Sequence, residues 1–228
     1  MNVTYPIADI GMAAFSVFFM QSPSFLAHQK YLEEGQGRSN CETLFGISKI
    51  PGDSHIRAML DPADPALLHP VFDAVLADLK PSGGLSAFRR PDQHVLIALD
   101  GTEYFCSKDI SCPHCSTRTR GKEKPKTEYF HTMLSASIVA PGHNHVVPLK
   151  PEFVKPQDGA EKQDCETRAA QRWLAAHGSE YKRLNPILLG DDLYSRQPIL
   201  GSSPWTSLRG GPGGRQPLHL CLQACPWA

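Results

Sequence analysis

The stretch that decides the fold is His94-Val-Leu-Ile-Ala-Leu-Asp-Gly101, in which an apolar run ends at an Asp-Gly pair. A short apolar run bounded by turn residues predicts a buried central strand that ends at Asp100-Gly101. Further elements are expected at 129–140, 144–154 and 186–190, all strands, and at 158–177, a helix. The order strand, strand, strand, helix, strand predicts a mixed α/β sheet.

Residues 1–85 have a helical pattern instead. Helices are predicted at Ile7–Phe19, at 53–60 and at 65–79, and a further helix is predicted to begin after a cap at Ser22 or Ser24. A polar loop with two glycines is expected at 33–40, and Pro81-Ser-Gly-Gly84 marks the expected boundary with the sheet.

The composition is that of a globular chain with no strong charge bias. The 228 residues are 41% hydrophobic, and 23 basic side chains balance 23 acidic ones, so net charge points to no particular partner. Seven cysteines at irregular spacing, with one Cys-x-x-Cys, predict reduced thiols rather than a disulfide framework. Since no apolar run is long enough to cross a membrane, we expect a soluble, cytoplasmic protein without a membrane partner.

The charges are distributed unevenly along the chain. From Leu193 to Ala228 there is no Lys, Asp or Glu, and this segment also contains the Gly/Pro-rich run 209–215. Read one base downstream, the codons for 216–224 permit a buried strand followed by a turn. A shifted reading frame is one explanation, and a natural low-charge tail is the other. We expect residues 198–228 to be an aberrant, disordered tail.

Two acids stand at the ends of predicted strands. Asp100 follows the first apolar run and Asp191 follows the last one. If these strands are parallel neighbours, their ends lie side by side, and two close carboxylates repel unless a cation such as Mg²⁺ or Mn²⁺ lies between them. Such a metal site supports phosphodiester transfer. The alternative is that Asp is simply common where strands end in turns.

A group of cysteines lies between the first two strands. Cys106, Cys112 and Cys115, together with His131, would complete a tetrahedral zinc site, and His114 is an alternative fourth ligand. Free cysteines in a solvated loop and a redox pair are the other interpretations. The same segment is basic, with Lys108, Arg118, Arg120, Lys122, Lys124 and Lys126. These side chains are predicted to contact DNA phosphates, unless they belong to a solvated loop.

Several segments together resemble the catalytic domain of DDE-type transposases of bacterial insertion sequences. They are Leu96-Ile-Ala-Leu-Asp-Gly-Thr-Glu-Tyr104, Tyr129-Phe-His-Thr-Met-Leu-Ser135, Asp158-Gly-Ala-Glu-Lys-Gln-Asp-Cys165 and Leu189-Gly-Asp-Asp-Leu-Tyr194. Asn40-Cys-Glu-Thr-Leu-Phe-Gly46 and Ile56-Arg-Ala-Met-Leu-Asp61 are similar to the helical region that precedes this domain. The resemblance covers about residues 7–197.

The resemblance implies a helical region over 1–85, a partial ribonuclease-H-like domain over 86–197 with a Cys-rich basic insertion at 103–126, and then the tail. It implies a nucleoid-associated bacterial protein that binds, cuts and joins DNA at element ends and target with Mg²⁺ or Mn²⁺. Its partners would be DNA and intact transposase or a second copy of itself.

The resemblance also assigns catalytic residues. Asp100 matches the first catalytic acid. Asp191 matches the second because Tyr194 follows three residues later, and Asp192 is the runner-up. The third acid, a Glu on a later helix, has no counterpart, since no Glu follows Glu180.

The missing acid leaves three hypotheses for this chain. The first is a transposase that is inactive as written. The second is a non-catalytic DNA-binding fragment that inhibits the intact enzyme. The third is a non-functional pseudogene product that does not fold, because an unfinished sheet exposes its edge and one face.

Overall fold

The structure, a computed structural model, describes residues 5–90, 93–121, 125–155 and 165–190. Several predicted features lie outside these residues: Lys122, Lys124, the first part of the 158–177 helix, Asp191, Asp192 and the tail at 198–228. The chain divides into two compact units, of which the first is residues 1–67 and the second begins at Leu68.

The unit boundary therefore precedes the Pro81-Ser-Gly-Gly84 segment at which it was predicted. Leu76, from the helix before that segment, is buried in the same apolar cluster as Leu85, Phe88 and Trp173. The predicted fourth helix thus belongs to the core of the sheet unit, because its apolar side packs there.

Over residues 5–67, the first unit contains four α-helices: α1 (Ile7–Phe19), α2 (Phe25–Glu33), α3 (Gly35–Thr43) and α4 (Asp53–Leu60). The start of α2 is as predicted, since the Ser24 hydroxyl accepts a hydrogen bond from the Ala27 N–H at 3.1 Å. Ile10, Leu32 and Ile56 are buried together between the helices. Across the described parts of the chain, none of the helices has both the length and the apolar character needed to cross a membrane.

Helix α3 replaces the polar loop predicted at 33–40. Gly35 has a φ of +44°, which turns the chain sharply after α2, and the backbone then approaches so closely that a Cβ on Gly37 would overlap the Tyr31 carbonyl. The glycines at 35 and 37 favour a loop in sequence analysis, but in the structure they permit a tight junction between α2 and α3.

One carboxylate joins α1 to the segment before α4. Asp9 Oδ2 accepts hydrogen bonds from the Ser48 N–H at 3.1 Å, the Ser48 hydroxyl at 2.8 Å and the Lys49 N–H at 2.9 Å. These bonds hold the pKa of Asp9 below its usual value, the Lys49 N–H contributing most. The buried charge is therefore well satisfied.

The described residues of the second unit form α5 (His69–Leu79), six strands and α6 (Glu166–Tyr181). The strands are β1 (Val95–Ser107), β2 (Ser116–Arg120), β3 (Lys126–Val139), β4 (Val147–Pro148), β5 (Glu152–Phe153) and β6 (Pro186–Leu189). Short 3-10 turns lie at Pro65–Leu68, Gly84–Phe88 and Lys182–Leu184. The mixed α/β sheet predicted from the sequence is confirmed at this level.

The sheet order is β2-β3-β1-β6, with β4 and β5 also paired to β3. Strand β1 is antiparallel to β3 from Leu96↔Val139 to Ser107↔Tyr129. On its other side β1 is parallel to β6, from Val95↔Pro186 to Ala98↔Leu189. The first strand in the sequence is thus central in the sheet.

The predicted end of β1 is wrong. Asp100 and Gly101 were predicted to form a turn, but β1 continues through them to Ser107 because β3 supplies antiparallel partners along that whole length. The predicted strand at 144–154 is also reduced, to the two short strands β4 and β5. The extent of β1, β4 and β5 is set by their pairing with the long strand β3, and this pairing cannot be inferred from local turn residues.

The core lies on one face of the central strands. Val95, Ile97 and Leu99 are buried while the residues between them are half-buried, so β1 presents alternate side chains to the core. Trp173 of α6 is fully buried against this face, and its Nε1 donates a 2.7 Å hydrogen bond to the Lys150 carbonyl. Helix α6 and the β4–β5 segment are thereby held on the sheet.

We predict that Gly37→Ala destabilises the first unit by about 1–3 kcal/mol, because the added Cβ has to push the Tyr31 backbone away. The opening free energy measured by amide hydrogen exchange over residues 7–60 should fall by that amount.

Gly11→Ala is the matched control. Gly11 is exposed in α1 with no atom near the position of a Cβ, so this change should raise helix stability by about 0.5–1 kcal/mol. If both substitutions stabilise the unit, the close approach at Gly37 is wrong.

Candidate functional site

Three of the predicted metal ligands come together at one end of the sheet. The Sγ atoms of Cys112 and Cys115 each lie 3.3 Å from Nε2 of His131 and 3.7 Å from each other. Cys112 and Cys115 belong to the turn that precedes β2, whereas His131 is in the middle of β3. These three atoms form a group that could hold a metal ion.

The fourth predicted ligand, Cys106, is not in this group. Cys106 pairs with Phe130 across β1 and β3, and cross-strand partners share a face of a sheet. His131 is the next residue, so its side chain lies on the opposite face. The Cys106 sulfur instead accepts a 3.4 Å hydrogen bond from Nη2 of Arg118.

The side chains around the cluster fix its shape. The Tyr104 ring stacks on the imidazole of His131, with the centroids 5.7 Å apart and the planes 15° apart. Tyr104 occupies the irregularity in β1, where the register with β3 shifts between Glu103 and Phe105. The Cys112 N–H donates a 3.2 Å hydrogen bond to Sγ of Cys115. The donor atoms are therefore oriented before any ligand binds.

Burial affects the protonation of the cluster. It raises the pKa of the Cys115 thiol and lowers the pKa of the His131 imidazole, and the charge of nearby His114 lowers the latter further. His131 therefore tends towards the neutral form that binds metals. His114, the alternative fourth ligand, is exposed.

The three donor atoms allow three chemical states. Two thiolates and an imidazole suit Zn²⁺, two adjacent thiols can be oxidised to a disulfide, and the cysteines can also remain free. Cys112 and Cys115 are free thiols in the structure.

Arg118 occupies the centre of an ionic network on the other face of the sheet. Its guanidinium makes two hydrogen bonds to the Glu103 carboxylate, at 2.6 and 3.0 Å, and one to Glu128 at 2.9 Å. It also lies 4.6 Å above the centre of the Phe130 ring. The two carboxylates raise the pKa of Arg118, with Glu103 contributing most. Its charge is thus largely compensated within the protein.

The other described basic residues of this segment are more accessible. Arg120 contacts Glu128 at 3.2 Å, and Lys108 lies 3.9 Å from the same carboxylate. Lys108 and Lys126 line a shallow surface groove together with Asp109, Thr127 and Tyr129, so the groove carries one acidic and two basic side chains.

Asp100 lies within β1 opposite Ser135 of β3, and it is exposed. The next residue, Gly101, leaves room for a neighbour, since a Cβ there would overlap the carboxylate of Glu166 at the start of α6. Asp191 and Asp192 lie outside the described residues, beyond the end of β6.

Sequence reasoning missed three acidic residues near these sites: Glu103, Glu128 and Glu166. Glu128 could have been found from charge patterning, because it pairs with Arg118 across β2 and β3. Glu103 and Glu166 depend on the β1 extension and on helix packing, and no local signal reports either of those.

We predict that Arg118→Lys lowers the unfolding temperature of the sheet unit although it keeps the positive charge. An ammonium group cannot make the two-pronged bond to Glu103, reach Glu128 and stack on Phe130 at the same time. Calorimetry, with hydrogen exchange over residues 103–121, would measure the loss. Arg120→Lys is the control, and equal effects of the two changes would contradict the network.

Comparison with known proteins identifies no relative. No family model matches the chain, and neither a curated protein nor a solved structure is similar to it. What the protein does must therefore be inferred from its own residues.

Proposed function

We propose that this chain is a DDE-type transposase polypeptide that binds DNA and holds a divalent cation between Asp100 and Asp191. The observation that carries the proposal is the parallel pairing of β1 with β6, in which Val95 is opposite Pro186 and Ala98 is opposite Leu189. Partners in this pairing differ by 91 in residue number, and so do Asp100 and Asp191.

The strand arrangement supports a ribonuclease-H-like sheet. A long antiparallel pair comes first, the short strands β4 and β5 add to β3, and α6 then leads to β6 on the other side of β1. The resemblance implies this order, with the two acids on the first strand and after the strand parallel to it. Asp100 thus lies on β1, and Asp191 follows β6, the parallel neighbour of β1, in the sequence.

The exposure of Asp100 supports a role in binding a cation. Hard carboxylate oxygens at the surface of a sheet suit Mg²⁺ or Mn²⁺, which keep several water ligands and bind phosphate oxygens. Such an ion, when bound, activates a water or a 3′-hydroxyl and stabilises the leaving oxygen of a phosphodiester. Asp100 would hold and orient the cation.

Exposed basic side chains support DNA as the partner, although Asp109 lines the same groove and Glu128 contacts Lys108 and Arg120. Lys108 and Lys126 lie on the same surface, with Arg120 exposed nearby. Binding through such cations weakens as salt rises, because counterions are released from the DNA. Arg118 contributes less to this surface than the sequence suggested, since Glu103 and Glu128 hold it.

The absence of any Glu after Glu180 favours a second function for the chain as written. Without a third acid, it would bind DNA ends but not cut them, and it would compete with intact transposase as an inhibitor. Binding without cleavage separates this function from the enzymatic one.

The test uses duplex DNA from the region flanking the gene. We predict that the chain as written binds this DNA without cutting it. A variant with the reading frame restored over codons 196–215 should cut it when Mg²⁺ or Mn²⁺ is present. Asp100→Asn in that variant should abolish cleavage and leave DNA binding unchanged, because only the cation ligand is lost.

Asp78→Asn, an exposed acid on α5, is the matched control and should cut normally. Asp191→Asn should behave like Asp100→Asn, and Asp192→Asn like the control. Undiminished cleavage by the Asp100→Asn variant would show that Asp100 is not a ligand of the catalytic cation.

A further inference from the structure

We propose that Cys112, Cys115 and His131 bind one Zn²⁺ with three protein ligands and an open fourth position, and that this ion fastens the turn before β2 to β3. The three donor atoms come from two places in the chain that the fold brings together. The inference is independent of the transposase proposal, since it involves neither Asp100 nor DNA.

The spacing of the donor atoms fits zinc. Tetrahedral Zn²⁺ has Zn–S bonds of about 2.3 Å and Zn–N bonds of about 2.0–2.1 Å, so its ligand atoms lie about 3.5–3.8 Å apart. The two sulfurs are 3.7 Å apart, and each is 3.3 Å from Nε2 of His131. Only shifts of a few tenths of an ångström would be needed to receive the ion.

The turn has little else to hold it. Residues 108–114 are all exposed, and Ile110, the large apolar side chain among them, is 66% exposed. The Ser107 hydroxyl accepts hydrogen bonds from the Asp109 and Ile110 N–H groups, but no apolar core forms beneath the turn. A metal ion supplies the stability that a segment without a core lacks.

The surrounding groups match those of metal sites. A backbone N–H, from Cys112, donates to the Cys115 sulfur at 3.2 Å and fixes the position of this sulfur in the turn. Tyr104 and Phe105 both pack on the His131 ring and fix its orientation.

The fourth position opens to solvent. Within the described part of the chain, no other His, Cys, Asp or Glu joins the cluster, and Cys112 at its edge is exposed. Cys106 lies on the opposite face of the sheet, where its sulfur accepts a hydrogen bond from Arg118. Water therefore completes the tetrahedron. Binding replaces the two thiol protons, which go to solvent, and the resulting Zn²⁺ centre with two thiolates and a neutral imidazole carries no net charge.

The first experiment is X-ray absorption at the zinc edge on the full chain loaded with one equivalent of Zn²⁺. We predict a first shell of two sulfurs and two nitrogen or oxygen atoms. A shell with three sulfurs would mean that Cys106 is a ligand and would overturn the three-ligand site. A shell of only oxygen and nitrogen, or failure to retain zinc on dialysis, would overturn the proposal altogether. This measurement needs no variant, so it stands even if a substitution impairs folding.

The second experiment titrates variants with Co²⁺, whose thiolate charge-transfer and tetrahedral absorption bands report the ligands. Cys112→Ser should reduce the charge-transfer band by about half because one of two thiolates is lost. Cys115→Ser should do the same, and His131→Ala should abolish tight binding. Cys106→Ser and His114→Ala are the matched controls and should bind like the unmodified chain. Loss of binding in Cys106→Ser would contradict the site.

Discussion

The antiparallel pairing of β1 with β3 is the constraint on which the sheet unit depends. It runs from Leu96↔Val139 to Ser107↔Tyr129 and carries β1 well beyond the apolar run that starts it. The first half of the pairing is buried under α6, where Trp173 and Leu174 cover it. The second half extends into solvent and has little apolar support. The two halves therefore depend on different interactions, hydrophobic burial in one and polar contacts in the other.

Each half of this pair carries one candidate site. Asp100 lies where β1 passes from the buried half to the exposed half, two residues beyond the last pair that β1 makes with β6. The Cys112–Cys115–His131 cluster lies near the far end, and Arg118 with its two carboxylates lies on the other face of the same region. An ionic network on one face and a metal site on the other would together replace the missing core of the exposed half.

Much of this architecture could be predicted from the sequence, and the failures have physical reasons. The Ser24 cap follows from local chemistry, and the apolar run from Val95 to Leu99 identified the core strand. The helix predicted at 158–177 is found only in part, since α6 begins at Glu166 after the extended Cys165 and continues through Gly178 to Tyr181. The end of β1 could not be predicted, since Asp-Gly is a turn signal unless a long neighbour supplies hydrogen bonds. The register shift at Tyr104 could not be predicted from the sequence either. Together with the alternation of side chains between the two faces of the sheet, this shift places Cys106 on the face opposite the cluster. The cysteine spacing correctly located the candidate metal site, but the register of β1 and β3 determines which of the predicted ligands lie in it.

The most direct test of the account is whether a divalent cation binds beside Asp100 at the β1–β6 pair. Mn²⁺ broadens the nuclear magnetic resonance signals of amides close to it, so a titration of the isotope-labelled chain locates the ion. If the ion binds there, the amides of 99–101 and 188–190 should broaden first, and Asp100→Asn should remove the effect. Broadening elsewhere, or broadening at these positions that survives Asp100→Asn, would contradict it.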